Sequence, residues 1–194
     1  MTPEFADAHR RRLLRIARDS IASGLGGGGP IGVPLEDLPE TLRALRATFV
    51  TIYLGEALRG CIGSLEPHRA VAEDVAHNAF ASAFHDPRFS PLTEIEMTSV
   101  RVQVAVLQPS LPITFRTEEE LLSQLRVGED GLILQCGSRR ATFLPSVWET
   151  LPEPRGFLAA LKRKAGMRPE QSIEGCQFSR YGTEAFADID FPEL

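Results

Sequence analysis

Several things are scarce or absent in this 194-residue chain. No apolar run approaches the roughly 20 residues needed to cross a bilayer, so no membrane span is expected. Positive charge is not in excess: 21 Lys and Arg stand against 26 Asp and Glu, a net charge of −5. That balance argues against broad, sequence-blind binding to nucleic acid, although it leaves a local basic pocket open. The three cysteines, Cys61, Cys136 and Cys176, form no CxxC pair, and His68, His77 and His85 stand too far apart for the i, i+4 pair of a zinc helix. No metal site and no cofactor are therefore expected. An odd number of widely separated cysteines cannot close completely within one chain and fits a reducing compartment. The opening segment MTPEFADAHRRRLLRIARDS has acidic residues and an arginine cluster but no apolar core before a small-residue cleavage site. It reads as neither a signal nor a transit peptide, and the expected location is the cytoplasm.

What is present is the composition of a globular protein, 43% apolar and 24% charged, long enough to bury a real core as one domain. Residues 4–23 carry a helical pattern, with Leu13, Leu14, Ile16, Ala17 and Ile21 towards one side and arginines towards the other. The glycine run at 24–30 lacks the Lys-Ser/Thr pair of a phosphate loop and follows a helix, so it reads as a flexible linker within a loop at 24–34. Residues 49–54 and 57–65 read as a hairpin, and 68–84 as a helix opened by Pro67. A strand is expected at 99–107, a helix from the capping pair Thr117 and Glu120 to about Arg126, short strands at 131–136 and 140–144, a helix at 154–165, and an extended tail at 175–187. Hairpins mixed with helices, without regular alternation, give an α+β fold with a largely antiparallel sheet and flanking helices.

The candidate chemistry centres on Leu58-Arg59-Gly60-Cys61-Ile62-Gly63. A cation beside Cys61 favours its thiolate, and glycines inside a strand leave room for close approach by another backbone or a ligand. The same residues also fit a small buried hydrophobe in a tightly packed hairpin. For nucleophilic chemistry Cys61 needs a base, for which His77 and His85 are candidates, and donors, for which Arg59, Arg88 and glycine amides are candidates. Asp74, Asn78, Ala81 and His85 sit at helical spacing and give their helix a polar edge expected to look towards the hairpin. Asp86 and Arg88 flank Pro87, where Arg88 either pairs with Asp86 or receives a carboxylate or phosphate on its forked edge. Lys162-Arg163-Lys164 closes a helix where positive charge suits the dipole, and Trp148 reads as a packing anchor.

LRGCIGS at 58–64, HDPRFSPL at 85–92, GEDGLIL at 128–134, RRATFLPSVWETLP at 139–152 and FLAALKRKAGM at 157–167 together resemble the AmmeMemoRadiSam system protein A family, also called the AMMECR domain family. The resemblance runs from LLRIARDSI to SRYGTEAF and implies one AMMECR-type domain over 1–194. It implies an α+β unit of a larger and a smaller lobe around an antiparallel sheet, with LRGCIG lining a groove. It also implies partners, a Memo-like protein and a radical SAM protein, in the modification of RNA or another macromolecule. Carried over residue by residue, the site falls on Arg59, Gly60, Cys61, Ile62 and Gly63, with Asn78, Asp86 and Arg88 as neighbours and a small anionic ligand as one occupant. Two departures stand out. Gln103 and Ala105 replace a glutamate and a serine frequent in relatives, which weakens any mechanism needing a carboxylate on that strand, and an aromatic expected near 171–173 is absent. Two functional classes follow: a binding module or accessory subunit, and an enzyme using Cys61 as nucleophile or carrier on an anionic substrate.

Overall fold

The computed structural model describes residues 4–193. Its helices are α1 (Asp7–Leu25), α2 (Glu40–Arg43), α3 (Val71–Phe84), α4 (Glu94–Met97), α5 (Glu118–Ser123) and α6 (Pro154–Lys164). Its strands are β1 (Thr48–Leu54), β2 (Ala57–Gly63), β3 (Val100–Leu107), β4 (Leu111–Ile113), β5 (Gly131–Cys136), β6 (Arg139–Phe143), β7 (Gln177–Tyr181) and β8 (Thr183–Ala187). The chain is α+β and forms two compact units, one running to Leu107 and resuming at Glu184, the other covering Gln108–Thr183.

In the first unit the sheet order is β2-β1-β3-β8, with β1 antiparallel to both β2 and β3. Alternation sends Val50, Ile52, Val102, Val104 and Val106 into the core that α1 and α3 complete. The alternate residues Phe49, Thr51, Tyr53, Arg101, Gln103 and Ala105 face the other way and are only half-buried. Ala72, Ala76, Ala79 and Ala83 on α3 are fully or almost fully buried, because their short side chains let the helix lie close to its neighbours.

Two expectations are corrected here. Helix α3 starts at Val71 and not after Pro67: Leu45 and Ala70 form a β-bridge and the Val71 N–H donates to the Ala44 carbonyl, which holds the preceding residues extended. The glycine run is a helix cap and not a loose linker. Helix α1 continues through Gly24, where an added Cβ would lie 2.1 Å from the Phe84 ring, and turns at Gly27 with φ +81°. The Gly28 N–H then donates to the Ser23 carbonyl, and Ile31, Val33 and Leu35 pack on the core.

Asp74 is fully buried and ties α3 to the sheet. It accepts from the Thr48 N–H, the Thr48 and Ser64 hydroxyls and the Asn78 amide. A carboxylate can be carried so deep because these donors use its lone pairs and the Arg69 guanidinium lies 3.4 Å from it.

The second unit has sheet order β4-β7-β5-β6. Trp148 anchors its core, stacked on Phe157 with ring centroids 3.8 Å apart and donating its indole N–H to the Asp130 carbonyl. Thr117 caps α5 by accepting the Glu120 N–H, and Glu120 turns to the Arg116 N–H. Gly166, with φ +73°, ends α6. Lys162, Arg163 and Lys164 close α6 as expected, and Lys162 is also 1% exposed and donates to Glu118 and to the Pro169 and Gln171 carbonyls. Cys136 and Cys176, read from sequence as separate thiols, form a disulfide that closes a loop of sequence separation 40. The strand register carries Cys136 to the end of β5 beside the start of β7, a proximity that spacing alone did not reveal.

Candidate functional site

The local geometry around Cys61 is set by a bulge. Leu54 faces Ala57 and Tyr53 faces Leu58, but Ile52 faces Gly60, so Arg59 is an extra residue in β2. The bulge brings Cys61 opposite Thr51, and the Thr51 hydroxyl contacts the thiol at 3.3 Å. Cys61 is the free cysteine and is half-buried.

Displaced by the bulge, Arg59 is held by α4. Its Nε and Nη2 donate to the two Glu96 carboxylate oxygens at 2.7 and 3.1 Å, and Nη2 also reaches the Pro91 carbonyl. Glu96 closes a capping box with Thr93. The Arg59 fork, helped by the Thr93 donors, lowers the Glu96 carboxyl to about 2.

Strand β2 is an edge of the sheet, and the DPRF segment covers that edge. Asp86, 4% exposed, accepts the Cys61 N–H at 2.8 Å, and Arg88 donates to the Cys61 carbonyl at 3.3 Å. The two side chains are paired through the Arg88 Nε and Nη2 at 2.9 and 2.7 Å. The Arg88 fork outweighs burial and holds Asp86 well below the usual carboxylate range. Asp86 in turn pushes Arg88 up. Ser82 completes the cover, accepting the Ile62 N–H and donating to the Val50 carbonyl. Occupied edge groups of this kind close a strand to unwanted pairing.

The eight residues singled out in the sequence are thus divided. Arg59, Cys61, Asp86 and Arg88 lie together along β2, with Ile62 joined through its backbone to Ser82. Asn78 is 6% exposed and belongs to the buried Asp74 network, donating to the Thr48 carbonyl and hydroxyl. The room beside the glycines is filled by the chain itself. A Cβ on Gly60 would meet the Ser82 carbonyl oxygen at 2.1 Å, and one on Gly63 would meet the Phe49 ring at 2.3 Å and the Thr48 carbonyl oxygen at 2.6 Å. These glycines serve close internal packing and present no vacant backbone to a ligand.

The candidate bases are not on the thiol. His77 and His85 are exposed, and the His85 ring meets the Phe80 ring edge-on. Among the described residues, no histidine or carboxylate side chain hydrogen-bonds Cys61 Sγ, and no group of three His, Cys, Asp or Glu is placed to hold a metal. The face that carries Thr51 and Cys61 continues across the sheet, where Thr51 faces Gln103 and Tyr53 faces Arg101. Sequence reasoning did not assign Thr51, Tyr53, Ser82, Glu96 or Arg101 to the site. Ser82 had a legible signal, since it follows Asp74 and Asn78 at intervals of four on one helical stripe.

The arrangement can present a thiol, hydroxyls and neutralised ion pairs on a partly open sheet face. Among the described residues, the thiol's hydrogen-bond neighbour is the Thr51 hydroxyl and not a base.

Comparison with known proteins bears on the whole chain. Residues 14–186 match the AMMECR1 family. Protein MJ0810 of Methanocaldococcus jannaschii is 34% identical over 185 residues, covering 91% of this chain and 89% of its own. A protein of Thermofilum pendens is 37% identical over 173 residues, 81% of this chain and 79% of its own. The crystal structure of the uncharacterized protein PH0010 from Pyrococcus horikoshii superposes with a TM-score of 0.84 at 32% identity, covering 95% of this chain and 94% of that one. The match in sequence and in fold over nearly the whole length shows that this chain belongs to the AMMECR1 family.

Proposed function

We propose that this protein is a binding module, an accessory subunit that uses the partly open sheet face around Cys61 to engage a partner. The observation that carries the reading is the bonding around the thiol. Its hydrogen-bond neighbour is the Thr51 hydroxyl, and the two nearby arginines, Arg59 and Arg88, are each committed to a carboxylate. A site built for attack by Cys61 needs a base to take the thiol proton. Family membership supports a Memo-like protein and a radical SAM protein as the partners, with modification of RNA or another macromolecule as the shared task.

One contact favours the second reading, an enzyme in which Cys61 is nucleophile or carrier on an anionic substrate. The Arg88 guanidinium lies beside Cys61, bonded to its carbonyl. Calorimetric titration with a purified Memo-like protein separates the two. A binding module retains its affinity in Cys61→Ala, because the loss is one sulfur atom at a surface contact. A turnover that disappears in Cys61→Ala while binding persists overturns the binding reading and supports the enzyme.

A further inference from the structure

We propose that Arg101, Tyr53 and Gln103 form an oxyanion-binding site, on the same sheet face as Cys61, for a carboxylate or phosphate group of a ligand. The proposal rests on the reading of this face as a binding surface and names the chemistry it recognises.

The first observation is the state of the arginines. Among the described residues of the first unit, Arg10, Arg11, Arg18, Arg46 and Arg59 are all partly buried and all are ion-paired, with Glu184, Glu193, Asp188, Glu4 and Glu96. Arg101 is also partly buried but makes no ion pair with any described residue. A guanidinium without a carboxylate partner keeps its charge and its N–H donors available to an anionic group.

The second observation is how Arg101 is held. Register pairs it with Tyr53, and its Cζ lies 4.8 Å from the centre of the Tyr53 ring. The contact holds the guanidinium over the ring, and its N–H groups make no ion pair with a described residue. Beside it the Tyr53 hydroxyl donates to Gln103 Oε1 at 3.2 Å. That bond uses a lone pair of the Gln103 oxygen and leaves its amide N–H groups as donors. The row therefore offers the Arg101 guanidinium and the Gln103 amide as donors, the chemistry that suits an oxyanion.

The third observation is space. Tyr53, Arg101 and Gln103 line an open hollow of about 360 Å³ together with Ala185, Ile189 and Asp190. Asp190 is the carboxylate in that lining, and it accepts the Ala187 N–H. The volume is in the range of small-ligand sites, and its wall combines an aliphatic side with the polar row. Gln103, read from sequence as a departure from a frequent glutamate, fits this chemistry. A glutamate there would set a negative charge against the anion and tie up Arg101.

The test follows the Arg101 Nε–H and the Tyr53 and Gln103 amides in ¹H–¹⁵N spectra. Sodium acetate and sodium phosphate are titrated separately at constant ionic strength set with chloride. The expected result is a saturable shift of these signals with one or both anions, and acetate alone or phosphate alone identifies the preferred group. Arg101→Gln is expected to weaken the response by about tenfold or more, the size of a lost charge-assisted contact. If Arg101→Gln fails to fold, Gln103→Leu, which keeps Arg101 and Tyr53, serves in its place and is expected to weaken binding as well. No saturable shift with either anion, or equal shifts in the variant, overturns the site. Retained affinity for a Memo-like protein alongside that negative result overturns the site and leaves the binding reading standing.

Discussion

Gly60→Ala asks whether the glycines of the LRGCIG segment serve the fold or a ligand. The added Cβ would lie 2.1 Å from the Ser82 carbonyl oxygen and 3.0 Å from its carbonyl carbon, and both belong to the backbone of α3. Ordinary contact between such atoms is at about 3.5 Å, so α3 or β2 must move by about 1 Å or more. Ser82 is bonded to both strands at once, through the Val50 carbonyl at 2.7 Å and the Ile62 N–H at 2.8 Å. Overpacking costs about 1 to 3 kcal/mol, and each buried group left without a partner costs a similar amount. Against this, alanine gains only about 0.4 to 1 kcal/mol by restricting the unfolded chain. The expected loss is about 4 kcal/mol or more, a large share of a typical domain's stability of about 5 to 15 kcal/mol. Urea unfolding followed by far-UV circular dichroism measures it. Fluorescence of Trp148, the single tryptophan, lies in the second unit and reports there independently. A Gly60→Ala midpoint equal to wild type would refute the packing argument.

The other predictions concern charge and sulfur. Glu96 and Asp86 are held below the usual carboxylate range by Arg59 and Arg88, so the unfolded chain binds protons more readily than the folded one at acid pH. Their stabilisation is complete above about pH 4.5, near the pKa of an unperturbed carboxyl, and fades as pH falls towards 2. Urea midpoints between pH 6 and 2.5 are expected to fall, with a shallower fall in Glu96→Gln and Asp86→Asn, and identical slopes in all three would contradict the ion-pair assignment. Iodoacetamide is expected to label the native protein once, at Cys61, and three times after unfolding with a reductant, because Cys136 and Cys176 are joined. Cys136→Ser with Cys176→Ser is expected to cost about 4 kcal/mol, from the chain entropy of a loop of that length. Labelling of three thiols without reductant would contradict the pairing.

Much of the fold was legible because period alone carries it. Val100, Val102, Val104 and Val106 announce β3 and its buried face, and the apolar side of α1 is spelled out by Leu13, Leu14, Ile16, Ala17 and Ile21. What could not be read depends on contacts distant in sequence. A two-residue turn at Gly55-Glu56 with unbroken register would set Thr51 against Gly60, and only the bulge at Arg59 moves Cys61 there. The burial of Lys162 depends on carbonyls of the chain that returns past α6, and the start of α3 on a bridge to Leu45. At the site, spacing across Pro87 left Arg88 either paired with Asp86 or open to an anion, and the structure shows the pair. Their hold on both backbone groups of Cys61 appears only in three dimensions.

The central claim is that the Cys61 face binds and does not attack. The most direct measurement is calorimetric titration of a Memo-like protein into wild type, Cys61→Ala and Cys61→Trp. The account predicts that Cys61→Ala binds like wild type and that Cys61→Trp, which projects a large ring from the same face, does not bind. Equal binding by all three variants, or no binding by wild type, would contradict it.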